Sequence, residues 1–109
     1  MVQLVKPDAT ELNDLVRRIL RVVRPLKVVL FGSAARGEMG PDSDLDVLVI
    51  VPNGADTRMI TRRIYRALIG FGEAADVIVA TEDEIARYGG NFSLVYYPAL
   101  KEGREIYAA

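Results

Sequence analysis

The chain has 109 residues, a formal net charge of −1, and neither cysteine nor histidine. That length suits one domain, expected over residues 1–109, and a half-hydrophobic composition is enough to build a core. Disulfides, thiolate zinc sites, a cysteine nucleophile, the serine–histidine triad and histidine-rich metal sites are all excluded. Catalysis in such a chain must run on carboxylates, hydroxyls, arginine, lysine and bound metal. The near-neutral charge argues against direct nucleic-acid binding. No apolar run approaches the roughly 20 residues of a membrane span. The opening Met-Val-Gln-Leu-Val-Lys-Pro lacks the apolar core of a signal peptide, so the expected location is cytoplasmic.

The spacing predicts a first helix over residues 8–24. Leu12, Leu15, Val16, Ile19, Leu20 and Val23 form one apolar stripe, Asp8 or Thr10 caps the start, and Pro25 ends it. Arg17, Arg18, Arg21 and Arg24 read as a solvated face near the negative end of the helix dipole, with a phosphate or partner contact as the other reading. A strand follows from Leu26 or Lys27 to Phe31, then the first turn of a short helix over Ser33–Arg36 with Gly37 at its end. A second strand runs from Asp44 or Leu45 to Val51, and Pro52-Asn53-Gly54 is a turn signal. A long helix is expected from Ala55 to Ile69, with Arg58, Arg62, Arg63 and Arg66 on its outer face. A third strand covers Ala74–Ala80. Thr81 and Glu84 have capping-box spacing and open a short helix that Gly89-Gly90 ends. Asn91 caps a last helix through Lys101, and Arg104–Tyr107 reads as a terminal edge strand.

A full helix between the second and third strands implies a right-handed parallel crossover. The 12-residue connection between the first and second allows an antiparallel pair. The expected fold class is therefore α/β (α+β): a small mixed sheet of three to four strands with helices packed on it.

Three features converge. Gly32-Ser33 stands at a strand end, where glycine allows close approach of a ligand and a following helix start offers free N–H groups to phosphate. Ser33 adds a hydroxyl donor. Asp44 and Asp46, two apart at the start of the next strand, would share a face, and two repelling carboxylates suit a divalent cation. Asp76 is a carboxylate in an otherwise apolar strand, a costly placement unless it is paired or bound to a cation. Each feature alone has a plain structural reading: a turn at Gly32-Ser33, a turn or capping cluster at Asp44 and Asp46, a hydrogen-bonded acid at Asp76. Together they are the ingredients of two-metal phosphoryl or nucleotidyl transfer.

Gly32-Ser33, ten residues, Asp44-x-Asp46 and a later strand aspartate resemble the nucleotidyltransferase fold of the DNA polymerase beta superfamily. The Gly-Ser-Ala-Ala-Arg-Gly version in a short chain resembles its minimal nucleotidyltransferase group. The resemblance implies that Asp44 and Asp46 hold two Mg²⁺ ions. Asp76 would complete the second metal's shell and orient or deprotonate the attacking hydroxyl. Gly32 and Ser33 would grip the β and γ phosphates of ATP or another nucleoside triphosphate. Arg36 is either a phosphate or partner contact or an ion pair with Glu38 or another acid.

The resemblance further implies transfer of AMP to a hydroxyl on a small helical HEPN-domain toxin, with this chain as the antitoxin. The alternatives are a non-catalytic module that neutralises a partner by contact and a nucleotidyltransferase acting on a small molecule. Phe92–Leu100 reads as the core side of a terminal helix, or as a surface for a partner or a second copy.

Overall fold

The most apolar stretch of the chain becomes the centre of the sheet. The computed structural model describes residues 7–40, 43–88 and 101–109 and forms strand β2 from Leu45–Val51, six of whose seven residues are buried. A strand covered on both faces reads as a continuous apolar run, which is why alternation is missing here. Strand β1 (Lys27–Phe31) runs antiparallel to it, in register from Lys27 opposite Ile50 to Phe31 opposite Asp46. Strand β3 (Ala75–Thr81) lies parallel on the other side, with Asp46 opposite Asp76. Strand β4 (Arg104–Ala108) pairs antiparallel with β1, so the described residues form one mixed sheet in the order β3-β2-β1-β4. The antiparallel pair, the parallel crossover and the terminal edge strand all agree with the sequence pattern.

The helices are α1 (Ala9–Leu20), α2 (Gly32–Arg36), α3 (Thr57–Ala67) and α4 (Glu82–Tyr88). Leu12, Leu15, Ile19, Ile60 and Ile64 of α1 and α3 pack on Val28, Leu30, Val47, Val49 and Val51, one face of the sheet. Val29, Phe31, Leu48, Ile50 and Ala80 belong to the other face, against which Ile85 of α4 packs. Strand side chains alternate, so Asp46 and Asp76 lie on this second face, away from α1 and α3. Arg58, Arg62, Arg63 and Arg66 are exposed on the outside of α3, as their spacing predicts. Among the described residues no helix is long and apolar enough to cross a membrane.

Both long helices are shorter than the apolar periodicity suggests. The Asp8 carboxylate accepts from the Glu11 N–H at 2.9 Å and caps α1. The helix stops at Leu20, not Arg24, because Val22 and Val23 both return their N–H groups to the Ile19 carbonyl, at 3.0 and 3.1 Å. That turn delivers Pro25, fully buried, to the entrance of β1. Val22 and Val23 still pack against the core, which is why the apolar stripe runs past the helix end. In α3 the Asp56 carboxylate accepts from the Met59 N–H at 3.1 Å, which fixes the start two residues later than expected. The Thr81–Glu84 capping box forms reciprocally: Glu84 Oε1 accepts from the Thr81 N–H at 3.1 Å and Thr81 Oγ1 from the Glu84 N–H at 3.2 Å.

Arg18 is not the solvated residue its helix position suggests. Its guanidinium donates to the carbonyls of Ala67 and Ile69, both at 3.0 Å, and to Asp14 Oδ2 at 3.1 Å. It therefore satisfies the C-terminal carbonyls of α3 rather than those of its own helix. It also lies 5.8 Å from the centroid of the Phe71 ring. The helix expected over residues 91–101, the Gly89-Gly90 stop and the stretch Phe92–Leu100 lie outside the described residues, Lys101 excepted.

Candidate functional site

The candidate site forms where β1 ends and where β2 and β3 begin. The antiparallel register sets Phe31 opposite Asp46, and the parallel register sets Asp46 opposite Asp76. Gly32, the next residue after Phe31, has φ +69°, a backbone conformation that disfavours a side chain. A Cβ there would collide with the Asp46 carboxylate oxygen Oδ2, with Asp46 Cγ only 3.3 Å away. The glycine thus gives the Asp46 carboxylate room directly beside the backbone that opens α2. Buried Ala34 anchors this helix, and Gly37 closes it at φ 71°. The Glu38 N–H returns to the Ser33 carbonyl at 2.8 Å, fixing the loop that carries Ser33. Ser33 is partly exposed at the start of α2.

Asp44 stands one residue before β2 and is exposed, whereas Asp46 lies within the strand and is half-buried. The same-face argument for the pair as strand residues therefore applies to Asp46 alone. The facing partner of Asp46 is Asp76. Burial, then the charges of Asp76 and Asp44, push the Asp46 carboxyl above its ordinary range, and Arg36 acts in the opposite sense. Asp76 is itself exposed, so the desolvation argument made from its apolar neighbours in sequence does not hold. It sits on the edge strand, on the face that α1 and α3 leave open.

Arg36 makes the ion pair with Glu38 that is one of its two readings. Its Nε donates to Glu38 Oε2 at 3.0 Å, and Nη1 stands 3.6 Å from Glu102 Oε2. The ion pair is formed, and the same charge still reaches Asp46. Both pairs are about half exposed, so they hold Arg36 weakly.

Tyr65 belongs to no motif in the sequence. From α3 its hydroxyl reaches round the outer edge of β3, accepts from the Val77 N–H at 2.8 Å and lies 3.3 Å from Asp76 Oδ1. Helical spacing sets Tyr65 beside core Ile64 and exposed Arg66, a position with no chemical signature of its own.

Among the described residues no three acidic side chains are drawn together tightly enough to form a finished metal cage. The donor set nevertheless suits a hard divalent cation: the carboxylates are all-oxygen, and Asp46 carries like charge on two sides without full compensation. A recess of about 320 Å³ lies elsewhere on the sheet. Leu26, Lys27, Val29, Ile50 and Ile85 line it, toward the end of β1 opposite the carboxylates.

Comparison with known proteins places the geometry in context. Residues 11–104 match the family model described as "Nucleotidyltransferase domain". A Methanocaldococcus jannaschii protein named "Putative protein adenylyltransferase MJ0604" is 32% identical over 81 residues, covering 74% of this chain and 77% of that one. Two crystal structures share the fold. One, described as a "putative nucleotidyltransferase from Sulfolobus solfataricus", is 22% identical with a TM-score of 0.57, covering 87% of this chain and 76% of that chain. The other, described as "the toxin-antitoxin with AMP-PNP", is 18% identical with a TM-score of 0.58, covering 90% of this chain and 73% of that chain.

Proposed function

The chain belongs to the nucleotidyltransferase domain family, and on that premise we propose that it transfers AMP from ATP to a hydroxyl on a partner protein. The observation that carries this reading is the register that sets Asp46 beside both Gly32 and Asp76. The adenylyltransferase name of the Methanocaldococcus relative supports AMP as the transferred group and a protein as the acceptor. The toxin–antitoxin description of one fold neighbour supports a toxin as that protein; its small helical HEPN type rests on the resemblance of the Gly-Ser-Ala-Ala-Arg-Gly motif to the minimal nucleotidyltransferase group alone.

In this reading the Gly32 backbone and the Ser33 hydroxyl hold the β and γ phosphates at the start of α2. Asp44 and Asp46 would hold the Mg²⁺ ions, and Asp76 would complete the ligand set. Bound Mg²⁺ supplies Lewis-acid stabilisation of the attacking and leaving oxygens. The acceptor oxygen forms a bond to the α-phosphorus, the bond from that phosphorus to the bridging oxygen breaks, and pyrophosphate leaves. Asp76 orients the acceptor hydroxyl and accepts its proton. A carboxylate is the fitting base in a chain with no histidine.

The test is intact-mass spectrometry of the protein encoded next to this one, incubated with this chain, ATP and Mg²⁺. A gain of one or more AMP units, absent with Asp44→Asn, is the expected result. A tight complex with no mass change would instead favour neutralisation by contact. No mass change and no complex would remove the partner assignment and return attention to small-molecule acceptors.

A further inference from the structure

We infer that Tyr65 is a positioning residue for Asp76, fixing that carboxylate from outside the sheet; this rests on the nucleotidyl-transfer reading. Asp76 lies on β3, which forms one edge of the described sheet. An edge strand lacks a neighbour on one side, so its outward N–H groups have no strand partner. Tyr65 fills that role at one point. Its oxygen accepts from the Val77 N–H at 2.8 Å, which ties the phenol to the strand backbone. The hydroxyl proton then has two neighbours, Asp76 Oδ1 at 3.3 Å and the Val77 carbonyl at 3.5 Å. The carboxylate is the nearer and the stronger acceptor.

Among the described residues the Asp76 side chain has no other hydrogen-bond partner, and its exposure leaves its rotamer to whatever holds it. Tyr65 therefore holds one oxygen at the strand edge and leaves the other outside this contact, on the residue that the register sets opposite Asp46. Tyr65 is on α3, the crossover that joins β2 to β3, so one helix both connects the strands bearing the two facing aspartates and orients one of them. Outer partners of metal-holding carboxylates commonly alter metal affinity or activity by about 10–100-fold when removed.

The experiment is equilibrium Mn²⁺ binding to the whole chain, comparing the unmutated protein with Tyr65→Phe, Asp76→Asn and the double variant. Tyr65 is 41% exposed, so loss of its oxygen leaves the core untouched, and circular dichroism checks the fold. The expected result is affinity about tenfold weaker in Tyr65→Phe and no additional loss when Tyr65→Phe is added to Asp76→Asn. In transfer assays kcat should fall while KM for the nucleotide stays unchanged. Equal Mn²⁺ affinity in Tyr65→Phe and the unmutated chain overturns the inference and leaves Tyr65 as an edge cover. An additive loss in the double variant also overturns it, because Tyr65 would then act independently of Asp76. If the unmutated chain takes up no Mn²⁺, the nucleotidyl-transfer reading fails first and this inference with it.

Discussion

Gly32 and Asp46 are complementary in space: the volume a Cβ on Gly32 would need is taken by the Asp46 carboxylate. The backbone sets a second condition, because φ +69° at Gly32 disfavours any L side chain by about 1–2 kcal/mol. Gly32→Ala should therefore lower stability by at least that much and displace Asp46 as well. For a chain of this size each kcal/mol corresponds to a fall in Tm of about 4–8 °C. Differential scanning calorimetry reads the stability loss. Mn²⁺ binding by whatever fraction stays folded reads the displacement, which should weaken the affinity beyond what unfolding explains.

Asp46 makes stability depend on pH in a predictable sense. Its folded carboxyl is pushed above the ordinary range by burial and by Asp76 and Asp44. Between the ordinary carboxylate value and this raised one, the folded state binds more protons than the unfolded state. Stability from this group is thus lost as pH rises through the window and regained on acidification. Asp46→Asn removes the penalty. The variant should melt at a higher temperature than the unmutated chain at neutral pH, and the gap should close as pH falls below the ordinary aspartate value, near 3.9. A melting series across pH that shows a constant gap, or the reverse sign, would contradict this assignment.

Occupancy of the carboxylates should oppose the same penalty. A ligand at 100 times its dissociation constant stabilises by about 2.7 kcal/mol. Mg²⁺ with ATP should raise the Tm of the unmutated chain, and Asp44→Asn or Asp46→Asn should abolish most of that rise. A thermal shift retained in both variants would place the nucleotide elsewhere, and the recess near Leu26 and Ile85 would be the next place to look.

The sequence was most informative where spacing carries geometry. Gly32, Asp46 and Asp76 mark the candidate site in the sequence because a glycine at a strand end and aspartates at strand starts need only correct strand pairing to become neighbours. The apolar runs Val28–Phe31 and Val47–Val51 specify that pairing. The same cues overextended α1, since Val23 continues the helical stripe although the chain has already turned to bury Pro25. Asp76 appeared buried because its sequence neighbours are apolar; only the strand order shows that β3 is an edge. The contacts of Tyr65 and Arg18 leave no mark in the sequence for one reason. Each acts across the fold, Tyr65 onto β3 and Arg18 onto the end of α3, and helical periodicity reports a residue's face but not what that face meets.

Arg18 gives a final test, of how far the site depends on its scaffold. Its guanidinium donates to the carbonyls of Ala67, Ile69 and Gly70 at 3.0, 3.0 and 3.4 Å, and its side chain is only 18% exposed. Arg18→Met keeps much of the apolar stem but strands those acceptors, at a cost of about 1–3 kcal/mol. Arg18→Lys should recover only part of the loss, because one ammonium cannot reproduce a planar fork that meets several carbonyls and Asp14 together. Urea denaturation should show the midpoint order unmutated chain, Arg18→Lys, Arg18→Met, with an unchanged m-value. The last turn of α3 carries Tyr65 and leads into the strand of Asp76. Fraying it should therefore also weaken Mn²⁺ binding in Arg18→Met, by less than Tyr65→Phe does, since the phenol is loosened rather than removed. Weakening equal to or greater than that of Tyr65→Phe would show that the helix end as a whole, not the tyrosine hydroxyl, holds Asp76 in place.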